Sequence, residues 1–209
     1  MSDWLSNIVS KEILQDNLSF VSLFIAVYEH TVDYTVSSIR SLLCDLSINE
    51  GNECWKETEH YKREIRNRVV DTKGNKDITK ASFLWLIDND AISTADYDRF
   101  IEIKSIRNKY AHELISVIFE GVSEAEVKLL FDMIALLQKI GRWFYVNVDA
   151  PIMGYEIPEG LEPGDIQSAG SAVLQILLDV LYNGKSEEYK TLVTKIRGAK
   201  NDASLHIEV

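Results

Sequence analysis

The apolar residues of this chain recur every three or four positions, which is the spacing of one face of an α-helix. The longest stripe predicts a helix at about residues 16–46. Weaker stripes predict further helices at about residues 53–70, 79–89, 93–119, 123–148, 167–182 and 187–197. Two of these helices are expected to start with a capping box, because Ser93 precedes Asp96, and Ser123 precedes Glu126, by three positions. The pattern therefore predicts an all-α protein.

Turn-forming residues divide the chain in its C-terminal third. All three prolines and three of the ten glycines lie between Pro151 and Gly164, and both residue types interrupt helices. We expect an up-and-down helical bundle over residues 1–149, a Pro/Gly loop over 150–166 and a C-terminal helical extension over 167–209.

The composition is that of an ordinary soluble protein. Of the 209 residues, 46% are hydrophobic and 26% are charged, as in typical globular domains. The first residues lack the basic flank and apolar core of a signal peptide, and no apolar run is long enough to span a bilayer. We therefore expect a cytoplasmic protein with no membrane partner. Its two cysteines are too few for a disulfide scaffold or a thiolate metal site.

The net charge of −11 argues against a surface that coats nucleic acid broadly, because affinity for phosphate comes from Lys and Arg. The segment Lys56–Lys80 departs from this balance, since it holds eight basic and five acidic residues. It is either a solvated helix face of mixed charge or a local patch that attracts phosphate. The candidate phosphate-binding residues of this patch are Lys62, Arg63, Arg66 and Arg68.

The strongest candidate for chemistry lies in the helix expected at 93–119. Arg107 falls on the same helix face as the apolar residues Phe100, Ile103 and Tyr110. A guanidinium in an apolar stripe is costly unless it is paired or faces a water-filled cleft. Arg107 is therefore either one half of a structural ion pair or part of a functional site.

Two acidic residues of the first helix are candidate partners of Arg107, whether it forms a structural ion pair or belongs to a functional site. Glu29 lies at the edge of that helix's apolar stripe, and Asp33 follows one turn later. Either carboxylate could pair with Arg107 or orient the imidazole of His112, which follows Arg107 by five positions. His112 itself lies together with Asn108 on an adjacent face, because the two are four residues apart.

Other candidates have simpler explanations. Glu29-His30 with Asp33, and Glu59-His60, could suggest a metal site, but a third convergent ligand at helical spacing is lacking. We expect neither a metal nor another cofactor. The run Trp143-Phe144-Tyr145 could stack on bases, although aromatic residues that end a core helix are more often packing residues.

The string Arg107-Asn108-x-x-x-His112, with Tyr110 and Ala111 inside it, resembles the R-x4-H signature of HEPN domains. This family, named for nucleotide-binding domains of higher eukaryotes and prokaryotes, consists of helical bundles. Its active members are metal-independent endoribonucleases. The similarity extends over about residues 15–149, from the long first helix to the helix that follows Ser123.

The resemblance implies a mechanism, a substrate and a partner. Two subunits would bring their motifs together across a shared cleft, so it implies a homodimer that binds RNA. His112 would act as general base or acid in the attack of a ribose 2′-OH on the adjacent phosphorus, which suits an imidazole because it titrates near neutral pH. Arg107 would bind the scissile phosphate, and Asn108 would hold the phosphate or the backbone of the motif. Glu29, Asp33 and Tyr110 would support them.

The product implied by the resemblance is a 2′,3′-cyclic phosphate, and the biological role implied is that of a toxin or phage-defence effector with an antitoxin or regulatory partner. Toxin members of the family that pair with a nucleotidyltransferase antitoxin often carry a tyrosine two residues after the histidine, and this chain has Leu114 there. The resemblance therefore does not extend to that kind of partner. The segment that precedes the motif, residues 83–97, resembles the corresponding segment of the mannitol-operon-repressor-like relatives, which are regulators. A non-catalytic regulator, or an RNA- or protein-binding dimerisation module, is therefore the alternative.

Overall fold

One long helix forms the centre of the fold. A computed structural model of the chain describes residues 10–49, 52–157, 160 and 169–182. The described elements, in chain order, are α1 (Lys11–Leu43), β1 (Cys44–Asn49), β2 (Asn52–Glu57), α2 (Glu59–Tyr61), α3 (Ile78–Asp88), α4 (Thr94–His112), α5 (Leu114–Glu120), α6 (Glu124–Phe144), α7 (Ala150–Met153) and α8 (Ala169–Tyr182). Two π-helical turns, Lys62–Arg66 and Tyr145–Asp149, follow α2 and α6.

The helices α3, α4 and α6 pack against α1, and α4 also packs against α6. Their inward faces form a core of side chains that solvent does not reach, including Phe24, Val27, Leu86, Ile103, Leu137 and Ile140. Burial of such apolar surface is the main favourable term in folding. The predicted all-α helical bundle is confirmed.

Both predicted capping boxes are confirmed. Ser93 accepts a hydrogen bond from the backbone N–H of Asp96, whose carboxylate accepts one from the N–H of Ser93 in return. Ser123 and Glu126 form the same reciprocal pair at the start of α6. These local bonds satisfy N–H groups that a helix leaves without partners, so sequence spacing alone is enough to find them.

The prediction of a helix over 53–70 was wrong in its first part. β1 and β2 form an antiparallel hairpin in which Leu46 lies opposite Trp55 and Ser47 opposite Cys54. Apolar and polar residues alternate over only six positions in β1 and do not alternate in β2, so neither strand stands out from the helical pattern around it. Thr58 fastens the base of the hairpin by donating a hydrogen bond to the carbonyl of Leu43.

Several helix ends differ from their predicted positions. α1 starts five residues before the predicted Asp16, with Ser10 as its N-cap. The helix predicted over 93–119 is interrupted at Glu113, so α4 ends at His112 and α5 is a separate helix. No helix-breaking residue marks this interruption in the sequence.

The chain is still helical at Pro151, although the Pro/Gly loop was predicted to begin at residue 150. The helical path continues from α6 through the second π-helical turn into α7, and it ends at Gly154, whose φ of 69° is left-handed. Pro151 is tolerated because it lies in the first turn of α7, where a missing backbone N–H costs little. Most of the remaining predicted loop lies outside the described residues, as does the helix predicted at 187–197.

The chain divides into two compact units, Met1–Gln167 and Ser168–Val209. The first contains the bundle, and the second contains α8, which matches the helix predicted at 167–182. None of the described helices combines the length and the apolar character that a membrane crossing requires.

Candidate functional site

The candidate site lies on α4, whose inward face is held in the bundle by three buried residues. Phe100, Ile103 and Tyr110 are each at most 1% exposed. The ring of Phe100 stacks on that of Tyr28 in α1, with centroids 5.6 Å apart. Tyr110 packs edge-on against Phe24, at 5.1 Å. These contacts fix the rotation of α4 about its axis and thereby the direction of every other side chain on it.

Arg107 lies on this inward side, as predicted, and it is paired with Glu29. Its Nε donates to Glu29 Oε1 at 2.9 Å, and its Nη2 donates to the same oxygen. The guanidinium also lies 5.5 Å from the centroid of the Tyr28 ring, in a cation–π contact. The remaining amino group, Nη1, donates to Asn108 Oδ1 at 3.3 Å. α1 therefore supplies both a counter-ion and an aromatic surface.

This pair is not closed off from solvent. The side chain of Arg107 is 30% exposed and that of Glu29 is 50% exposed. Water at the edge of the pair screens its attraction, so such a pair contributes little stability. The guanidinium remains accessible to an anion that approaches from outside.

His112 is the last residue of α4, and its side chain is exposed. It makes no hydrogen bond or ion pair with any described residue. Successive helix residues advance by about 100°, so Arg107 and His112 project roughly 140° apart around the axis. Within one chain, the two side chains do not converge on a common point. Asn108 is exposed on the same side as His112.

The other supporting residues occupy different positions. Asp33 is exposed on α1 and forms no ion pair with Arg107 or His112. Tyr110 is a core residue, and burial raises the pKa of its phenol, as does the nearby carboxylate of Glu126. Tyr110 therefore positions α4 and does not face a cleft. The sequence offered Glu29 and Asp33 as alternative partners of Arg107, but it gave no sign that the ring of Tyr28 contacts the guanidinium.

A buried carboxylate secures the end of α4 that carries His112. Glu126 of α6 is 6% exposed and lies 3.4 Å from the ammonium of Lys109. Burial by itself raises the pKa of Glu126, but hydrogen bonds from Ser123 and the charge of Lys109 outweigh it and lower the pKa overall. The Lys109–Glu126 contact was not predicted, because it joins two helices whose relative orientation the sequence does not encode locally.

The predicted basic patch is largely paired with acids of its own surroundings. The four candidate phosphate-binding residues form ion pairs at 2.6–3.0 Å, namely Lys62–Glu59, Arg63–Glu64, Arg66–Glu57 and Arg68–Asp88. Arg63 also contacts His60. The π-helical turn that carries three of them packs against α3, whereas α4 packs against α1, α5 and α6. The local positive charge is therefore smaller than the count of basic residues implies.

Metal-ligating side chains do not cluster in the described part of the chain: no group of three His, Cys, Asp or Glu residues there could hold an ion. Both cysteines are free, Cys44 buried and Cys54 exposed. The candidate site on α4 therefore consists of the guanidinium of Arg107, the carboxamide of Asn108 and the imidazole of His112.

Comparisons of the chain with protein-family models, with curated proteins and with solved structures find no match. Its function is therefore inferred from the arrangement of Arg107, Glu29, Asn108 and His112.

Proposed function

We propose that this protein is a metal-independent endoribonuclease of HEPN type that acts as a homodimer on RNA. The observation that carries the proposal is the partly exposed guanidinium of Arg107, held in a fixed direction by Glu29 and Tyr28. It lies on the same helix as an exposed imidazole without a protein partner among the described residues, that of His112. A toxin or phage-defence role, in the cytoplasm and under an antitoxin or regulatory partner, would fit such an activity.

The proposed chemistry follows from the two groups. A neutral His112 imidazole takes the proton of a ribose 2′-OH, and the 2′-oxygen forms a bond to the adjacent phosphorus. The bond from phosphorus to the 5′-oxygen breaks, and that oxygen takes up a proton. The products are a 2′,3′-cyclic phosphate and a 5′-hydroxyl. The guanidinium of Arg107 donates hydrogen bonds to the phosphate oxygens as their charge increases.

Because Arg107 and His112 diverge by roughly 140°, a second protomer is part of the proposal. The imidazole of the second chain would approach Arg107 from the solvent-exposed side of its pair with Glu29. Ile101 and Ser105 lie on the same exposed side of α4 as Asn108 and His112, and Ile101 is 44% exposed. We expect the contact between the two chains to include this side of α4.

The test is cleavage of total RNA by the purified protein in the presence of EDTA. We expect cleavage that leaves 2′,3′-cyclic phosphate ends. We expect His112→Ala and Arg107→Ala each to lower the rate by about 100-fold or more, the usual effect of removing a general base or a charge-stabilising donor.

A matched control is His60→Ala, which removes an exposed histidine outside α4 and is expected to leave the rate unchanged. Cleavage that needs added metal, or that persists in His112→Ala, would contradict the proposal.

The second candidate function is a non-catalytic regulator or dimerisation module with the same fold. The observation that favours it is the Arg107–Glu29 pair itself, because Glu29 already accepts two hydrogen bonds from the guanidinium. The same assay separates the two functions, since the second one predicts no cleavage by the wild-type protein.

A further inference from the structure

A cavity of about 650 Å³ lies at the other end of the α4–α6 pair from His112. Its walls come from the turn between α3 and α4 and from the C-terminal half of α6 with the π-helical turn that follows. Small-molecule sites in proteins have volumes of roughly 300–1,000 Å³. The lining residues include Asp90, Ala135, Lys139, Arg142, Trp143 and Val146.

Arg142 is the cation of this cavity that has no carboxylate partner. Its Nε is closed off from solvent and has no hydrogen-bond acceptor among the described residues. The part of the chain that the structure describes also offers it no ion pair. A half-buried guanidinium without a counter-ion is costly, and an anion bound in the cavity would remove that cost.

The other charges of the wall limit the charge of that anion. Lys139 also lines the cavity, but its ammonium already binds the carboxylate of Asp96 at 2.6 Å. Asp90 adds a negative charge to the part of the wall that the turn between α3 and α4 forms. One unpaired guanidinium beside one carboxylate suits a monoanion better than a phosphate dianion. A guanidinium binds a carboxylate through two parallel hydrogen bonds.

Part of the remaining wall is aromatic and apolar, and Gln138 and Asn147 add two carboxamides to it. Trp143 packs edge-on against Trp85 and Phe144, with ring centroids 5.8 Å and 5.2 Å away. These contacts hold the half-buried indole in place. Ala135 and Val146 add small apolar surfaces. An indole held in place in this way offers its ring to another aromatic ring, because aromatic pairs attract each other in stacked and edge-on arrangements.

Two backbone irregularities border the cavity. Asp90 has a φ of 56°, in the left-handed region that favours glycine. Val146 belongs to the π-helical turn Tyr145–Asp149. Both kinds of irregularity cost free energy and are found more often at functional sites than elsewhere.

We propose that this cavity binds a small aromatic monocarboxylate, whose carboxylate contacts Arg142 and whose ring packs against Trp143. The site is independent of the proposed nuclease site. Asp96, at this end of α4, lies sixteen residues before His112, which corresponds to about 24 Å along the helix axis.

The experiment is calorimetric titration of the full chain with 2-naphthoate, compared with the neutral amide 2-naphthamide and with acetate. We expect 2-naphthoate to bind, and the other two probes to bind at least about tenfold more weakly, because each lacks either the charge or the ring. Arg142→Gln is expected to weaken 2-naphthoate by about tenfold or more, while the thermal unfolding midpoint changes little.

Arg40→Gln is the matched control, since Arg40 is an exposed arginine on α1 that does not line the cavity. It is expected to leave the affinity unchanged, and so is His112→Ala. Equal binding of naphthoate and naphthamide, an unchanged affinity in Arg142→Gln, or no heat of binding at millimolar naphthoate would each overturn the proposal.

Discussion

For Arg107, the sequence predicts the position of the side chain on its helix but not the residues that it contacts. Its position in the apolar stripe of α4 followed from helical periodicity, because the core residues Phe100, Ile103 and Tyr110 share its face. That Glu29 is its counter-ion, and not Asp33, depends on how α1 is rotated against α4. The cation–π contact with Tyr28 depends on the same rotation.

Glu29→Gln tests what this pair does. Both side chains are partly exposed, so we expect the free energy of unfolding to fall by only about 0.5 kcal/mol, as for other exposed ion pairs. RNA affinity is expected to rise, because the carboxylate no longer competes with phosphate for the guanidinium. The measurements are urea denaturation and RNA binding with catalytically inactive His112→Ala as background.

Asp33→Asn is the control for this prediction, since it removes the same charge one turn along α1 without touching Arg107. If Glu29→Gln weakens RNA binding, or raises it no more than Asp33→Asn does, Arg107 is not a phosphate-binding residue.

Among the elements, the helix starts that carry local signals were predicted correctly. The capping boxes of α4 and α6 need residues only three apart, so they are visible in the sequence. The hairpin was missed because its strands are short and mostly exposed, and because tertiary contacts such as Thr58 with Leu43 stabilise it. The interruption at Glu113, which makes His112 a terminal helix residue, is likewise invisible to periodicity.

The two capping carboxylates predict how stability depends on pH. Burial raises the pKa of Asp96, but Lys139 and Ser93 lower it by more, and the pKa of Glu126 is also lowered overall. A carboxyl group whose pKa is lower in the folded state stabilises the fold above its unfolded pKa of about 4. That contribution is lost as the pH falls further. We therefore expect the urea midpoint to hold from neutral pH to about pH 5 and to drop towards about pH 3.

Ser123→Ala separates the cap from the charge. We expect it to cost about 1 kcal/mol at neutral pH and less at an acid pH below the lowered pKa of Glu126, where the carboxyl group is protonated and its bonds with Ser123 are weaker. Ser105→Ala, at an exposed position of α4, is the matched control and should change neither value. If Ser123→Ala costs the same free energy at both pH values, the hydrogen bonds from Ser123 do not favour the ionised form of Glu126.

At the scale of the whole molecule, the proposed nuclease needs two chains. Light scattering after size exclusion should give twice the mass of one chain. An equimolar mixture of Arg107→Ala and His112→Ala, each inactive alone, is expected to recover part of the cleavage rate, because a mixed dimer can combine an intact guanidinium with an intact imidazole. A monomer that cleaves RNA at the full rate would contradict this arrangement.

The cavity beside Arg142 is a feature of the whole molecule too. Its residues come from positions 90–91 and 135–147, which no motif connects. The sequence marked Trp143 only as a residue of packing or base stacking, and it gave no signal for Arg142. Only the fold brings the turn before α4 next to the end of α6 and leaves a space between them.

The sequence by itself determined the helical class, the caps of α4 and α6 and the exceptional position of Arg107, because each depends on spacings of a few residues along one helix. The tertiary structure decided which carboxylate binds Arg107, where His112 projects, which basic residues of Lys56–Lys80 are paired and where a cavity remains. These depend on contacts between residues far apart in the chain, whose geometry is set by how the helices pack, and packing is a property of the whole core.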